Sequence, residues 1–325
     1  MLQSQDESLD LEIDRALSKI DKLHSSPVVA LRVMELTRKD DFEMIDVIEC
    51  LENDPALTAS ILRLVNSSYY GLPRKITSLS HALNYLGRRS VRLAVLSFGL
   101  VKTLVSGAPG KLHQLYWKRS LTMAAAARRC ALLSSDPEAH PDTAFTAGLL
   151  ADLGMLALAQ METEKYLEIC QEPDHTMRQV QLERETFGFD HMAVGGRLLA
   201  RWNLSEEMVQ AVANHHVYLP MCSELNHTLL VANLLTDVLW NPASHYMQPL
   251  QYVLKSRFNV GVDDFITLAG DTKKAVKESM VIFGVNLNVN IDVEAIEAEA
   301  REQFKLAAVD EETFLSEFDA LFLDS

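Results

Sequence analysis

The 325-residue sequence predicts an all-α protein. Three observations support this fold class. Apolar residues recur at helical spacing in one segment after another along the chain. Leucine and alanine are abundant while aromatic residues make up only 7% of the chain, which favours helix over strand. The longest stretch with strand-like alternation is VNLNVNI at 285–291, and we interpret it as an extended connector rather than part of a sheet.

The predicted helices begin with residues 9–23, and the clearest local signal is NDPALTASILRLVNSSYYG at 53–71. Asp54 is a favourable N-cap there, and Pro55 occupies the first helical position, where a missing N–H costs nothing. Three residues mark the end of this helix: Asn66, Tyr70 and Gly71. We expect this helix end, together with Tyr69, to brace two lobes of the protein against each other.

A Gly/Pro loop around residues 107–110 predicts a boundary between lobes. We therefore divide the chain into an N-terminal helical lobe (1–107), a second helical lobe (108–240) and a helical C-terminal extension (241–325). In the second lobe, the apolar segment 142–160 is predicted to form a single buried helix. Further helices are predicted at 112–134, 162–171, 176–186, 191–202, 205–216, 227–240, 291–307 and 310–322.

Composition excludes several classes of function. The formal net charge of −15 opposes binding to the phosphate backbone of nucleic acids. The four cysteines are far apart and form no CxxC pair, which argues against a zinc knuckle and favours reduced thiols in a cytoplasmic protein. The N-terminus lacks the features of a signal peptide, and the longest apolar run, 148–159, is too short to span a membrane. We expect a cytoplasmic protein that binds neither nucleic acid nor membrane.

Several polar residues interrupt otherwise apolar helices of the second lobe. Burying a carboxylate without a partner or a metal costs on the order of several kcal/mol. Asp152, within the apolar segment GLLADLG, is therefore expected to have such a partner. Four more residues are candidates for the same pocket: His191, His215, His216 and Asn233.

The order of six motifs resembles the HDOD family (HD-related output domain) over roughly residues 15–240. These motifs are NDPALTASILRLVNSSYYG, ITSLSHALNYLG, WKRSL, AGLLADLGMLAL, FGFDHMAVGGRLLARWNL and AVANHH. The resemblance implies a bacterial signalling module that is a shortened relative of HD-type phosphohydrolases, preceded by a helical lobe of its own.

The resemblance also implies that most metal ligands are lost. HD hydrolases hold one or two metals with a histidine, a His-Asp doublet and a distal aspartate. Arg119 stands at the position of the first histidine, Ala151-Asp152 at the doublet and Asn233 at the distal aspartate. Three accessory histidines of related hydrolases have counterparts: His191, His215 and His216. Because a catalytic metal needs at least three good protein ligands, we expect no catalytic residue, no metal and no cofactor here.

The loss suggests that Arg119 supplies the positive charge that a metal would have supplied, by pairing with Asp152. The alternative is that Asp152 accepts backbone hydrogen bonds and that Arg119 is solvated. Of the adjacent His215 and His216, we expect one to be packed and the other exposed. Gly195-Gly196 is expected to permit close helix packing.

We therefore predict a non-enzymatic signal-transduction module that acts through protein contacts. The resemblance implies partners that act in trans, such as receiver, kinase or cyclic-di-GMP-turnover proteins. The acidic C-terminal helices offer a docking or homodimer surface, unless they pack back on the same chain. Two alternatives stay open: a metal-dependent phosphohydrolase acting on nucleotides, and a sensor that binds a nucleotide or another anion without turnover.

Overall fold

The computed structural model describes residues 11–18, 28–37, 42–68, 70–106, 110–136, 139–170, 177–217 and 222–307. Within these ranges the protein is helical and has no strand, which confirms the predicted fold class. The helices are α1 (11–18), α2 (Val28–Leu36), α3 (Met44–Glu52), α4 (Pro55–Val65), α5 (Leu79–Ser106), α6 (Gly110–Leu133), α7 (Pro141–Leu150), α8 (Leu153–Met161), α9 (Thr163–Ile169), α10 (Met177–Phe187), α11 (His191–Arg201), α12 (Glu206–Ala213), α13 (Glu224–Trp240), α14 (Met247–Phe258), α15 (Val262–Phe283) and α16 (Val293–Ala307).

Helices α2 to α5, together with Ile282 of α15, enclose a hydrophobic core in the N-terminal part of the protein. The predicted start of α4 is confirmed, because the Asp54 carboxylate accepts a hydrogen bond of 2.9 Å from the amide of Leu57 and Pro55 is the first helical residue. Helix α5 has a kink at Gly87, whose φ of 76° lies in the left-handed region that favours glycine.

Helices α6 to α13 form the second and larger core. The segment 142–160 is not the single helix that the sequence predicts. Helix α7 ends at Leu150, a turn follows at Ala151 and Asp152, and α8 begins at Leu153. The backbone of Asp152 departs from helical geometry, with φ −86° and ψ 11°. The break lets the Asp152 carboxylate meet side chains from several helices at once.

The C-terminal helices α14 to α16 pack on the second lobe rather than standing apart. Ile296 and Ala300 of α16 are fully buried against the rest of the protein. This acidic helix therefore packs back on the same chain, which was the alternative to a docking or homodimer surface. Residues 285–291 form the expected connector without helix or strand. The predicted helix 310–322 lies outside the described residues.

Phe283, at the end of α15, lies between the two lobes. Its ring contacts Phe98 of α5 at 4.6 Å between centroids, Trp117 of α6 at 5.5 Å and Phe145 of α7 at 6.5 Å. A second bridge is the Asp142 carboxylate, which accepts a hydrogen bond of 2.8 Å from the Ser90 hydroxyl of α5. Through Phe283 the extension helps to fix the relative position of the lobes. The domain boundaries at 107 and 240 stay predictions.

One stretch of the second lobe, Pro141–Met161, is long and apolar enough to cross a membrane, contrary to the expectation that no stretch would be. The fold explains its composition. Of its most apolar window, 83% is buried inside the protein, and the turn at Ala151 and Asp152 divides it into α7 and α8. These features are those of a central core segment.

Candidate functional site

Arg119 is the centre of the pocket. It projects from α6, is 9% exposed, and uses all three of its guanidinium nitrogens. Nε lies 3.0 Å from Oδ2 of Asp152, as the predicted ion pair requires. Nη2 donates to Oδ1 of Asn233 at 2.9 Å, and Nη1 donates to Oδ1 of Asp237 at 2.8 Å. Because each contact joins a charged donor to an oxygen acceptor, the guanidinium is held rigidly.

Close packing of α8 against α11 fixes the position of Asp152. The only residue type that fits at position 154 is glycine, since a Cβ there would lie 2.0 Å from the carbonyl oxygen of His191. The predicted role of Gly195-Gly196 is confirmed: a Cβ on Gly196 would lie 2.8 Å from Cβ of Ala213 on α12. Small residues thus bring the backbones of α8, α11 and α12 together around the pocket.

The predicted histidines all enter this pocket. His191 is the first residue of α11, whereas His215 and His216 lie in the turn that follows α12. The expectation that one member of the pair would be exposed is wrong, because His215 is 0% and His216 3% exposed. Helix α12 ends at Ala213, earlier than predicted, so both rings can turn inward to face His191.

A chain of hydrogen bonds connects Asn233 to Glu183. Nδ2 of Asn233 lies 2.9 Å from Nδ1 of His216, and Nε2 of His216 lies 3.0 Å from Nε2 of His191. Nδ1 of His191 lies 2.6 Å from Oε2 of Glu183, which also accepts from the backbone amide of His191 at 2.8 Å. Glu183 is fully buried.

The direction of these hydrogen bonds follows from Arg119. Because its guanidinium can only donate, Oδ1 of Asn233 must face it and Nδ2 must face His216. Nδ1 of His216 is therefore an acceptor, and the ring proton sits on Nε2, from which it points to His191. Burial and the neighbouring histidines lower the pKa of His216 well below its usual value, which keeps this ring neutral.

Asp152 is ionised despite complete burial. Burial alone would raise the pKa of its carboxyl, but the guanidinium of Arg119 and the nearby histidines hold that pKa well below its usual value. Burial alone would lower the pKa of Arg119, but the carboxylates of Asp152 and Asp237 outweigh this effect and raise that pKa. The pocket is therefore built around a permanent ion pair.

The second carboxylate oxygen of Asp152 has no hydrogen-bond partner. Oδ1 lies 3.4 Å from Nε2 of His215 and 3.8 Å from Nε2 of His191. Nε2 of His215 also lacks a hydrogen-bond partner. Among the described residues, Asp152 and the three histidines place one potential ligand atom each within 4.8 Å of one another.

Sequence reasoning missed two acidic members of the site. Asp237 follows Asn233 by one helical turn, so the spacing of four within α13 could have placed both on the same face. The sequence signal for Glu183 of α10 is weaker, and consists of Gln179 one helical turn before it. In the structure Gln179 donates a hydrogen bond to Glu183 at 2.9 Å. The hydroxyl of Tyr166 also donates to Glu183, at 2.7 Å.

The family-signature residues lie in the N-terminal part and not in the pocket. Asn66 closes its own loop, since its side chain donates to the carbonyls of Leu62 and Ile76 and accepts from the amide of Ile76, each at 2.8 Å. The expectation that Asn66 braces the lobes is therefore wrong. Tyr70 packs edge-to-face against Tyr85 of α5, Gly71 adopts φ 56°, and Tyr69 lies outside the described residues.

The positions that would hold metal in an HD hydrolase do not fit a metal here. A guanidinium repels a divalent cation, an alanine cannot ligate, and the amide oxygen of Asn233 already accepts from Arg119.

Comparisons with known proteins agree with this fold. The family model of the HDOD domain matches residues 23–218. A curated relative, an uncharacterized protein of Treponema pallidum (strain Nichols), is 24% identical over 199 residues. The match covers 61% of this chain and spans 38% of the relative's length.

Three solved structures share the fold. An HDOD domain protein with unknown function from Geobacter sulfurreducens has a TM-score of 0.58 at 22% identity, covering 98% of this chain and 99% of its own. A protein from Shewanella amazonensis SB2B, provisionally named a metal-dependent phosphohydrolase, has a TM-score of 0.63 at 20% identity, covering 84% and 99%. A provisionally named signal transduction protein from Marinobacter aquaeolei VT8 has a TM-score of 0.62 at 19% identity, covering 86% and 65%. With the family model matching well over half of its length, the chain belongs to the HDOD family.

Proposed function

We propose that this chain is a cytoplasmic signal-transduction output module that acts through contacts with other proteins and hydrolyses no substrate in its HD-type pocket. The observation that carries the proposal is the placement of Arg119. Its side chain binds the one surviving ligand of the HD set, Asp152, and also the residue at the distal-aspartate position, Asn233.

A phosphohydrolase needs a metal-bound water and an open place for the phosphate. Here the guanidinium already points all three nitrogens at Asp152, Asn233 and Asp237, so it stabilises the fold instead of receiving a substrate. The same saturation argues against an anion sensor centred on Arg119. Signal transduction is also the function in the name of the Marinobacter aquaeolei structure.

Hydrolysis is tested with the full chain and a chromogenic phosphodiester, bis(p-nitrophenyl) phosphate, in the presence of Mn²⁺. We expect the wild type to match Asp152→Asn at background rate. The matched comparison is the triple variant Arg119→His, Ala151→His and Asn233→Asp, which restores the full HD ligand set. Wild-type turnover that Asp152→Asn abolishes would contradict the proposal and favour the phosphohydrolase alternative.

Protein contacts are tested by capture from extracts of the native cell, followed by mass spectrometry and size-exclusion chromatography of the purified pair. We expect a stable complex with a receiver, kinase or cyclic-di-GMP-turnover protein. Asp152→Asn serves as a control for dependence on the pocket. Recovery of the chain alone, or only as a homodimer, would contradict an output role through such partners.

A further inference from the structure

A cleft between the two lobes carries positive charge that the HD-type pocket does not use. The cleft has a volume of about 380 Å³. Both lobes contribute to its lining: Arg88, Arg92 and Leu93 of α5, Thr143 of α7, and Ser205 and Met208 at the start of α12. None of these residues belongs to the pocket around Arg119.

The two arginines of the cleft lie on the same face of α5. Arg88 and Arg92 are one helical turn apart, and both follow the kink at Gly87. Two like charges at this spacing repel each other. An anion bound between the two guanidinium groups would turn that repulsion into attraction.

The carboxylates closest in sequence do not neutralise the cleft. Glu206 and Glu207, which follow Ser205, are exposed and do not line it. Asp142, which precedes Thr143, forms an ion pair with Arg128 at 2.5 Å. Among the residues that the structure describes, the lining of the cleft contains positive charge only.

Arg92 has a buried donor that lacks an acceptor. Its Nη2 donates to the carbonyl oxygen of Asn203 at 3.1 Å, which ties α5 to the turn between α11 and α12. Its Nε is buried and has no hydrogen-bond partner in the described part of the chain. A buried N–H of a charged group is costly to leave unpaired. After a small rotation of the flexible side chain, an anion in the cleft would supply the missing acceptor.

Arg88 is oriented by an aromatic ring. Its guanidinium carbon lies 5.4 Å from the centroid of the Phe42 ring, and Phe42 also lines the cleft. Such stacking uses the face of the guanidinium, whereas its N–H donors lie in the plane of the group. The planar fork of donors matches the oxygens of a phosphate.

The other walls of the cleft suit a compact organic group. Leu93 is 9% and Met208 2% exposed, so both present apolar surface at the base of the cleft. The Ser205 hydroxyl accepts from the amide of Met208 at 3.4 Å, and its own proton can be donated to a ligand. Small-molecule sites of roughly 300–1,000 Å³ commonly lie at such boundaries and combine apolar walls with a few polar groups.

We propose that this cleft binds a small organic phosphate, with the phosphate group between Arg88 and Arg92 and the apolar part against Leu93 and Met208. A phosphate monoester carries a charge of about −1.5 to −2 at pH 7, which matches two guanidinium groups. Because both lobes line the cleft, binding would hold them in one relative position. The proposal concerns a site apart from the HD-type pocket, and it holds whether or not the module has signalling partners.

The test is isothermal titration calorimetry of the full-length protein with phenylphosphonate. This probe combines a phosphonate with a compact ring and has no ester bond to hydrolyse. We expect saturable binding at one site per chain that weakens with added salt, and a higher melting temperature when the probe is bound. Inorganic phosphate lacks the apolar part and benzenesulfonate carries a single charge, so each should bind about tenfold more weakly or worse.

The variants separate the cleft from the remaining positive surface. Arg88→Gln and Arg92→Gln should each weaken binding by about tenfold or more, on the scale of a lost charge-assisted hydrogen bond. Arg92→Lys should weaken it less, because it keeps the charge and loses only the fork of donors. The matched control is Arg178→Gln, which removes an exposed arginine of α10 that bonds to Gln181 and does not line the cleft. It should leave binding unchanged.

If Arg92→Gln fails to fold by circular dichroism, Arg88→Gln decides the outcome. A folded wild type that does not bind phenylphosphonate, or binding that survives Arg88→Gln, would overturn the proposal. Equal affinity for inorganic phosphate would reduce the site to an anion site and contradict an organic ligand. A short phosphoserine peptide that binds more tightly than phenylphosphonate would assign the cleft to a phosphorylated protein instead.

Discussion

Nη2 of Arg119 lies 2.9 Å from Oδ1 of Asn233, so a guanidinium on α6 decides which end of an amide on α13 faces the histidines. Through that one contact Arg119 sets the orientation of the Asn233 amide. The two residues that the resemblance places at the first and last HD ligand positions are thus coupled.

Removing the charge of Arg119 should destabilise the protein strongly. In Arg119→Met the carboxylate of Asp152 would stay buried without its partner, and breaking a buried ion pair in this way costs about 3–5 kcal/mol. Urea unfolding followed by circular dichroism measures the change. Arg301→Met, which removes exposed ion pairs with Glu297 and Asp263, serves as the control and should change the midpoint little. Equal stability of Arg119→Met and wild type would contradict a structural role for the pair.

Gly154→Ala should also destabilise, for a steric reason. The added methyl group would lie 2.0 Å from the carbonyl oxygen of His191, so α8 and α11 would have to separate, at a cost of about 1–3 kcal/mol or more. The matched variant is Gly270→Ala in the interior of α15, where nothing lies within 4 Å of the new atom. That change should stabilise by about 0.5–1 kcal/mol through helix propensity. Thermal unfolding of both variants provides the measurement, and similar effects at the two positions would refute the close approach.

Asn66→Ala should loosen the loop that follows α4. The variant loses side-chain hydrogen bonds to Leu62 and Ile76 and removes this partner from the part-buried amide and carbonyl of Ile76, which costs about 1–3 kcal/mol. Hydrogen exchange measured by mass spectrometry should show faster exchange at the amide of Ile76. Asn53→Ala, which removes a single exposed side-chain bond to Glu49, is the comparison. Unchanged protection at Ile76 would show that the side chain does not hold the loop.

The thiol of Cys130 should not react in the folded protein. Burial raises its pKa to about 12, and only the thiolate is an effective nucleophile, so iodoacetamide at pH 8 should leave it unmodified. In urea the pKa returns to about 8.5 and alkylation should proceed. Peptide mapping by mass spectrometry follows the reaction, with partly exposed Cys50 as the internal comparison. Alkylation of native Cys130 as fast as in urea would show that this part of α6 opens readily.

The sequence by itself determined the all-α fold class and most helices. Helical periodicity and the capping of α4 by Asp54 are local, so a few neighbouring residues suffice to predict them. The resemblance predicts that metal ligands are replaced at positions 119, 151 and 233, because each ligand position belongs to a recognisable motif. The pairing of Arg119 with Asp152, which the structure confirms, was predicted from their opposite charges and from the resemblance that places both at ligand positions.

Only the tertiary structure decided how the pocket is completed. Arg119 and Asp237 lie 118 residues apart in the chain, and Glu183 reaches the site from a helix that carries no recognisable motif. The break between α7 and α8, the burial of both His215 and His216, and the proton positions on the rings depend on contacts between separate helices. Such contacts arise when backbones pack closely at residues such as Gly154, and no local pattern records which side chains will then meet.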